Sequence, residues 1–504
     1  MKSGAYCILR ILYDTNDRLR SEQLKSKHLN SEHKLYQGGH MYQLDFNTPI
    51  HIYFSGIGGI SMSGLARILK SRGFEVSGSD RSASAITDGL NADGIRVIIG
   101  QKKENITPDI DLVVFTAAIR PDNPEYIAVT ERGIPHITRS VLLGQIMRGY
   151  KDPVAISGTH GKTTTTSMIS EILVRAGTDP TLSIGGILDS IGGNVRIGHS
   201  QYFAAEACEY TNSFLDMFPG IGIILDIDAD HLDFFKDLSD IRRSFRRFAE
   251  LIPADGALII NTQIPDYREI CDGLPCRVIL YGPTDEADYW PEDIRFDDLA
   301  RPVYTLCSRN SDGTVLRQTI TTGVPGEHNI YNSMAAAAAA DCLGISREDT
   351  AAALAGYAGT QRRFQVLGTR NGFTVVDDYA HHPTEIEATL RTASVFPHRE
   401  LYCVFQSHTY TRTKALMDDF AKALTLADHI LLAPIYPARE TDDLGISART
   451  LAEKIEGLGH PCLCFETFEE IEDYLLKNCQ SGDLVITMGA GNINEVGENL
   501  VSGE

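Results

Sequence analysis

From residue 50 onward, short apolar runs alternate with stretches in which apolar side chains return every three or four positions. The runs at 50–54, 75–77, 97–99, 112–116, 154–156, 202–205, 221–225, 373–376, 401–405, 430–433 and 484–488 predict strands. Between them the helical period puts Leu65, Ile68 and Leu69 on one face, and later Met168, Ile169, Ile172, Leu173 and Ala176 before Gly177 stops the helix. Strands alternating with helices define an α/β chain with mostly parallel sheets. The run 335–340, all alanine, predicts a helix slim enough to pack very close to a neighbour. With 504 residues the chain exceeds one hydrophobic core, and the pattern divides it into 41–149, 150–357 and 358–504.

Residues 1–40 follow neither rhythm. They are polar and basic, with Arg18, Arg20, Lys25, Lys27 and Lys34, and predict a disordered extension or a mis-assigned start. The codons of Gln37, Gly38, Gly39 and His40 can carry a purine-rich ribosome-binding sequence just before Met41, which makes Met41 the expected natural start. Hydrophobic content of 43% and charged content of 22% fit a soluble enzyme. A net charge of -21 excludes a general nucleic-acid surface, because most of the molecule repels phosphate. No apolar run approaches the roughly 20 residues of a membrane span. The ten cysteines lack zinc-type spacing, and they suit a reduced, cytoplasmic protein that uses them as small hydrophobes.

The sharpest chemistry lies at Gly158-Thr159-His160-Gly161-Lys162-Thr163-Thr164, between a strand and a helix. Glycines let the backbone N–H groups turn inward and the helix N-terminus adds its dipole, so the segment is built to cradle phosphate. Lys162 supplies a cation and the Thr163 hydroxyl a metal ligand, in a loop shorter than the common Walker pattern. A second glycine loop, Gly56, Gly58 and Gly59 with Ser61, follows the first strand, and Asp80 follows the second. Taken alone this βαβ pattern suggests a dinucleotide cofactor, as in a nicotinamide-dependent oxidoreductase, and the diphosphate of another nucleotide fits the same physics. Thr116 stands at another strand's carboxyl edge. In the middle region Glu206 and His231 end strands beside the phosphate loop and are candidates, with Thr163, to hold the divalent metal of a nucleotide. The fold expected from these units is Rossmann-like in the first and last domains and P-loop ATPase-like in the middle.

The phosphate loop, Glu206, Asp230-His231-Leu232-Asp233 and Gly326-Glu327-His328-Asn329 together resemble the Mur ligases, ATP-dependent ligases of cell-wall precursors. Gly56 to Gly64 and Asp377-Asp378-Tyr379-Ala380-His381-His382-Pro383-Thr384-Glu385 extend the likeness, which covers essentially everything from Met41 onward. The resemblance implies UDP-N-acetylmuramate, L-alanine and ATP as substrates, Mg2+ or Mn2+ as cofactor, and no nucleic acid or membrane partner. It assigns the first glycine loop, Asp80, Thr116 and Asn194 to the UDP-sugar. It assigns the phosphate loop, Asn329, Arg363 and Asp378 to ATP, and Arg412 with His381 to the amino acid. Lys162, His231 and His381 become the expected catalytic residues, His381 as a candidate base. A peptide-attaching sibling would share nearly all these motifs and differ near Arg412 and Arg439. Relatives that carbamylate a lysine do so where this chain reads Arg242-Arg243-Ser244-Phe245-Arg246-Arg247, and arginine cannot replace it. Many relatives also carry arginine at Thr409 and proline at Ser407. Of the adjacent histidines, one is expected to function and one to face solvent. Shared ligands imply domain closure and an open form without them, and a monomer or homodimer is expected.

Overall fold

A computed structural model describes residues 42–116, 119–232, 234–310, 312–438, 440–441 and 444–503. The expected extension 1–40, the start at Met41, and Asp233 and Arg439 lie outside the described residues. The described residues form three sheets. In the first, five parallel strands take the order familiar from nucleotide-binding α/β folds. His51–Ser55 lies at its centre between Glu75–Asp80 and Leu112–Phe115. The second strand runs three residues beyond the apolar run that predicts it, because Gly78 and Ser79 continue the ladder against Phe54 and Ser55. Asp80 therefore ends that strand instead of following it.

The middle sheet has ten strands. Asp152–Ser157, which feeds the phosphate loop, is paired in parallel with Tyr202–Glu206 on one side and Ile221–Ile224 on the other. An antiparallel meander, Tyr289–Phe296, Pro302–Arg309 and Val315–Thr321, extends one edge. The helix Lys162–Arg175 packs against His328–Cys342, whose alanines 335–340 are at most 3% exposed. Methyl side chains allow this close approach at no cost in rotamer entropy. Asn329 sits inside the first turn of that helix, not before it. The last sheet has six strands, with antiparallel Gln365–Arg370 at one edge and the parallel strands Phe373–Asp378, Leu484–Met488 and Leu401–Phe405 beside it.

The expected open arrangement is not what the structure holds. Thr384 of the last domain donates to Asp228 of the middle one at 2.8 Å, and Arg412 forks onto Asp230. Charged hydrogen bonds between complementary groups hold the two surfaces together. Among the described residues no helix is long and apolar enough to cross a membrane. The nine described cysteines are all free thiols.

Candidate active site

The phosphate loop leaves a buried strand and must reverse tightly before Lys162 starts the helix. Gly158 adopts φ +140° and Gly161 φ +78°. A Cβ on Gly158 would stand 2.9 Å from Asp226 Oδ1, and one on Gly161 2.6 Å from Asn332 Oδ1, so neither position has room for a side chain. Lys162 turns back into the loop. Its ammonium donates to the carbonyls of Gly158 and Thr159 and pairs with Glu209 at 3.0 Å. Burial works against that charge, but Glu209 overrides it and holds the lysine protonated.

Glu209, only 2% exposed, also lies 3.6 Å from His231 Nε2. Glu206 faces differently and accepts the Gly185 N–H at 2.5 Å. The carboxylate in direct contact with Lys162 and His231 is thus Glu209, three residues beyond the one the pattern singles out. Thr163 packs its methyl toward Gly186. His231 itself is held at φ +54°, backbone strain of the kind that gathers at functional sites. The arginines 242 and 246 serve structure: both hold the segment 265–272 through its carbonyls.

Between the middle and last domains lies a cavity of about 250 Å³. His160, Gly161, Thr164, Asn329, Arg363 and Asp378 all line it. Asn329 accepts from Asn332, which in turn accepts from Thr165 on the phosphate-loop helix. Arg363 lies over the Tyr379 ring. Asp378 accepts the N–H groups of Phe364 and Ala380, and burial pushes its carboxyl up to about 6 despite Arg363. His328 lines the same cavity, and burial followed by repulsion from Arg363 brings it down to about 4. Arg362, next to Arg363, is a strut: it bonds Asp377 and the carbonyls of Gly489 and Gly491.

Arg412 grips a carboxylate, as its type predicts, but the carboxylate is Asp230, at 3.0 and 3.3 Å from Nη2. Burial opposes ionisation of Asp230, yet His231 and Arg412 hold it well below the usual range. His381 Nδ1 lies 3.0 Å from the Tyr379 carbonyl oxygen and 3.2 Å from Glu385. Burial is the main cause that brings His381 down to about 4, so it is neutral near pH 7. The expectation of one solvent-facing histidine fails. His382 is 4% exposed, because its ring caps the helix Pro383–Val395 and stacks toward His160 at 4.9 Å.

In the first domain Asp80 Oδ2 accepts the Gly58 N–H at 2.8 Å and closes the glycine loop, with Thr116 against Gly56. Ser61 accepts from Arg139, an arginine just past a strand's carboxyl edge that the pattern does not single out. Asn194, from the middle domain, donates to the Ile60 carbonyl at 3.1 Å, so this loop too lies at a domain junction.

A glycine-lysine loop with a cavity of about 250 Å³ beside it, and a second glycine loop at the opposite junction, are features of α/β nucleotide-binding enzymes. The chain belongs to the Mur ligase family: its models match residues 51–151 (Mur ligase family, catalytic domain), 156–340 (Mur ligase middle domain) and 362–491 (Mur ligase, glutamate ligase domain). Among known proteins it is 58% identical to the UDP-N-acetylmuramate–L-alanine ligase of Lachnospira eligens, over 92% of this chain and all of that one. It is 53% identical to the ligase of the same name from Agathobacter rectalis, again over 92% and 100%. Among solved structures, the UDP-N-acetylmuramate-alanine ligase of Thermotoga maritima superposes with a TM-score of 0.76 at 27% identity, over 90% of this chain and 99% of that one.

Proposed function

We propose that the protein joins L-alanine to the lactyl carboxylate of UDP-N-acetylmuramate at the expense of ATP, in the cytoplasm, as a step of cell-wall precursor synthesis. The observation that carries this is the convergence of the phosphate loop, Asn329, Arg363 and Asp378 on one cavity, with the Arg412–Asp230 pair joining the same two domains. The names of the relatives at 53–58% identity support the choice of amino acid and sugar nucleotide. In this reading residues 41–149 bind the UDP-sugar through Gly56, Gly58, Gly59, Ser61, Asp80, Thr116 and Asn194, with Arg139 added. Residues 150–357 and 358–504 share ATP.

A carboxylate oxygen attacks the γ-phosphorus and ADP leaves, giving an acyl phosphate. The alanine amine then attacks the acyl carbon, loses a proton to solvent, and inorganic phosphate departs with one of the original carboxylate oxygens. Lys162 and the amides of residues 158–164 neutralise the phosphoryl group in flight. To do so Lys162 must release Glu209, which leaves that buried carboxylate with His231 as its partner. Hydroxyl, carboxylate and imidazole donors from Thr163, Glu206, Glu209 and His231 suit a hard divalent cation, so the residues fit Mg2+ or Mn2+. When bound, the cation offsets charge on the phosphates. Arg412 exchanges Asp230 for the carboxylate of L-alanine, a bidentate swap between like partners. His381, neutral and weakly basic, accepts a hydrogen bond from the incoming amine and orients it.

The test is ADP release from the purified protein with L-alanine, glycine, L-serine or a peptide as acceptor. Release that requires both UDP-N-acetylmuramate and L-alanine is expected. Replacing Lys162 by Ala should lower it roughly 100-fold or more while UDP-sugar binding persists. Release driven equally by a peptide, or near-normal turnover in the Lys162 variant, would overturn the reading.

A further inference from the structure

We propose a second metal site, distinct from the nucleotide's cation and made for a zinc-class ion, formed by His160 and Asp228 of the middle domain and His382 of the last. One ligand atom from each of the three lies within 4.8 Å of the others. His160 Nε2 is 3.3 Å from Asp228 Oδ2, and His382 Nδ1 is 3.9 Å from the same oxygen. Bonds of about 2.1 Å in a tetrahedron place ligands about 3.4 Å apart, so small side-chain shifts complete the set. Two imidazoles and a carboxylate are the donor chemistry of zinc rather than magnesium.

Two independent features point to a ligand there. His382 is almost fully buried and turns its Nδ1 toward Asp228, where that atom's other contact is the Thr384 N–H at 3.4 Å, long for a hydrogen bond. Glu385 Oε1 stands 3.3 Å from His160 Nδ1, an outer carboxylate that orients the ring and leaves Nε2 for the metal. Asp226, Asp228 and Glu385 all lie within 4.0 Å of His160, and Lys162 and Arg363 offset part of the charge at Asp226 and Glu385. A cavity of about 460 Å³, lined by Asp228, His382 and Thr384, gives an ion its way in. An ion bound here ties the phosphate loop to the last domain and so holds the closed form.

The test uses the full chain with saturating Mg2+ and ADP, which occupy the nucleotide's own cation position, titrated with Co2+ and then with Zn2+. The wild type is expected to take up one equivalent of Co2+ with the visible absorption of a four-coordinate site, displaced by Zn2+. His382→Asn keeps a helix-capping side chain and should bind Co2+ at least tenfold more weakly, with an unchanged melting transition. Asp228→Asn serves as the second variant if the first fails to melt cooperatively, with the same loss expected. A wild type with no such absorption, or a folded variant that binds Co2+ as the wild type does, overturns the proposal.

Discussion

Arg412 owes its position to two fixed partners, a half-buried Asp230 and the helix Tyr410–Ala415 on which it sits. A lysine there keeps the charge but loses the planar fork. Arg412→Lys should therefore raise the KM for L-alanine about tenfold or more and leave the KM for ATP near its original value; equal changes in both would place Arg412 elsewhere in the reaction. Asp378 offers a pH test. Its folded carboxyl titrates at about 6 against 3.8 for the ordinary group. Between those values the folded state holds more protons than the unfolded one, so stability contributed at this residue falls as pH rises from about 4 to about 6 and is level above. Relative to Asp378→Asn, the wild type should lose on the order of 3 kcal/mol across that window in denaturant melts; parallel profiles would contradict this. What local spacing reveals at this scale is the loop, because glycine, lysine and threonine act through adjacent backbone. Glu209, Arg139 and the Asp230 partner of Arg412 escape such a reading, since each contact joins positions far apart in the chain.

Each predicted apolar run falls on a strand, and most of those strands are buried along nearly their whole length, whereas Ala257–Asn261 and the meander Tyr289–Phe296, Pro302–Arg309 and Val315–Thr321 are strands that the predicted runs do not include. Leu401–Phe405 and Leu484–Met488 occupy the predicted residues, and their five positions are all buried. The rhythm fails where small or polar residues continue a ladder, as Gly78 and Ser79 do. It fails too where a polar ring is buried for a capping role, as at His382. The alanine helix makes a sharper prediction. Ala338 is fully buried in the core it shares with Ile169, Ile172 and Leu173. Ala338→Leu adds volume where none is free and should destabilise the middle domain by about 1–3 kcal/mol, despite leucine's good helix propensity. Calorimetry should show the transition of that domain moved down by several degrees; an unchanged transition would mean that the two helices are not in tight contact.

Across the whole molecule, both glycine loops sit where domains meet, one bridged by Asn194 and Ile60, the other by His160, Asp228, Thr384 and Glu385. Ligands placed at such junctions couple binding to closure, and opening then limits product release. That three α/β units are present is legible from the alternation of strands and helices, whereas their closed contact is not, because it rests on single charged pairs between distant segments. The central claim is that the phosphate loop activates a carboxylate for amide formation. Its most direct test is turnover of UDP-N-acetylmuramate whose lactyl carboxylate carries heavy-isotope oxygen, with mass analysis of the inorganic phosphate released. Transfer of one labelled oxygen to each phosphate is predicted, and phosphate free of label during L-alanine-dependent turnover would contradict the account.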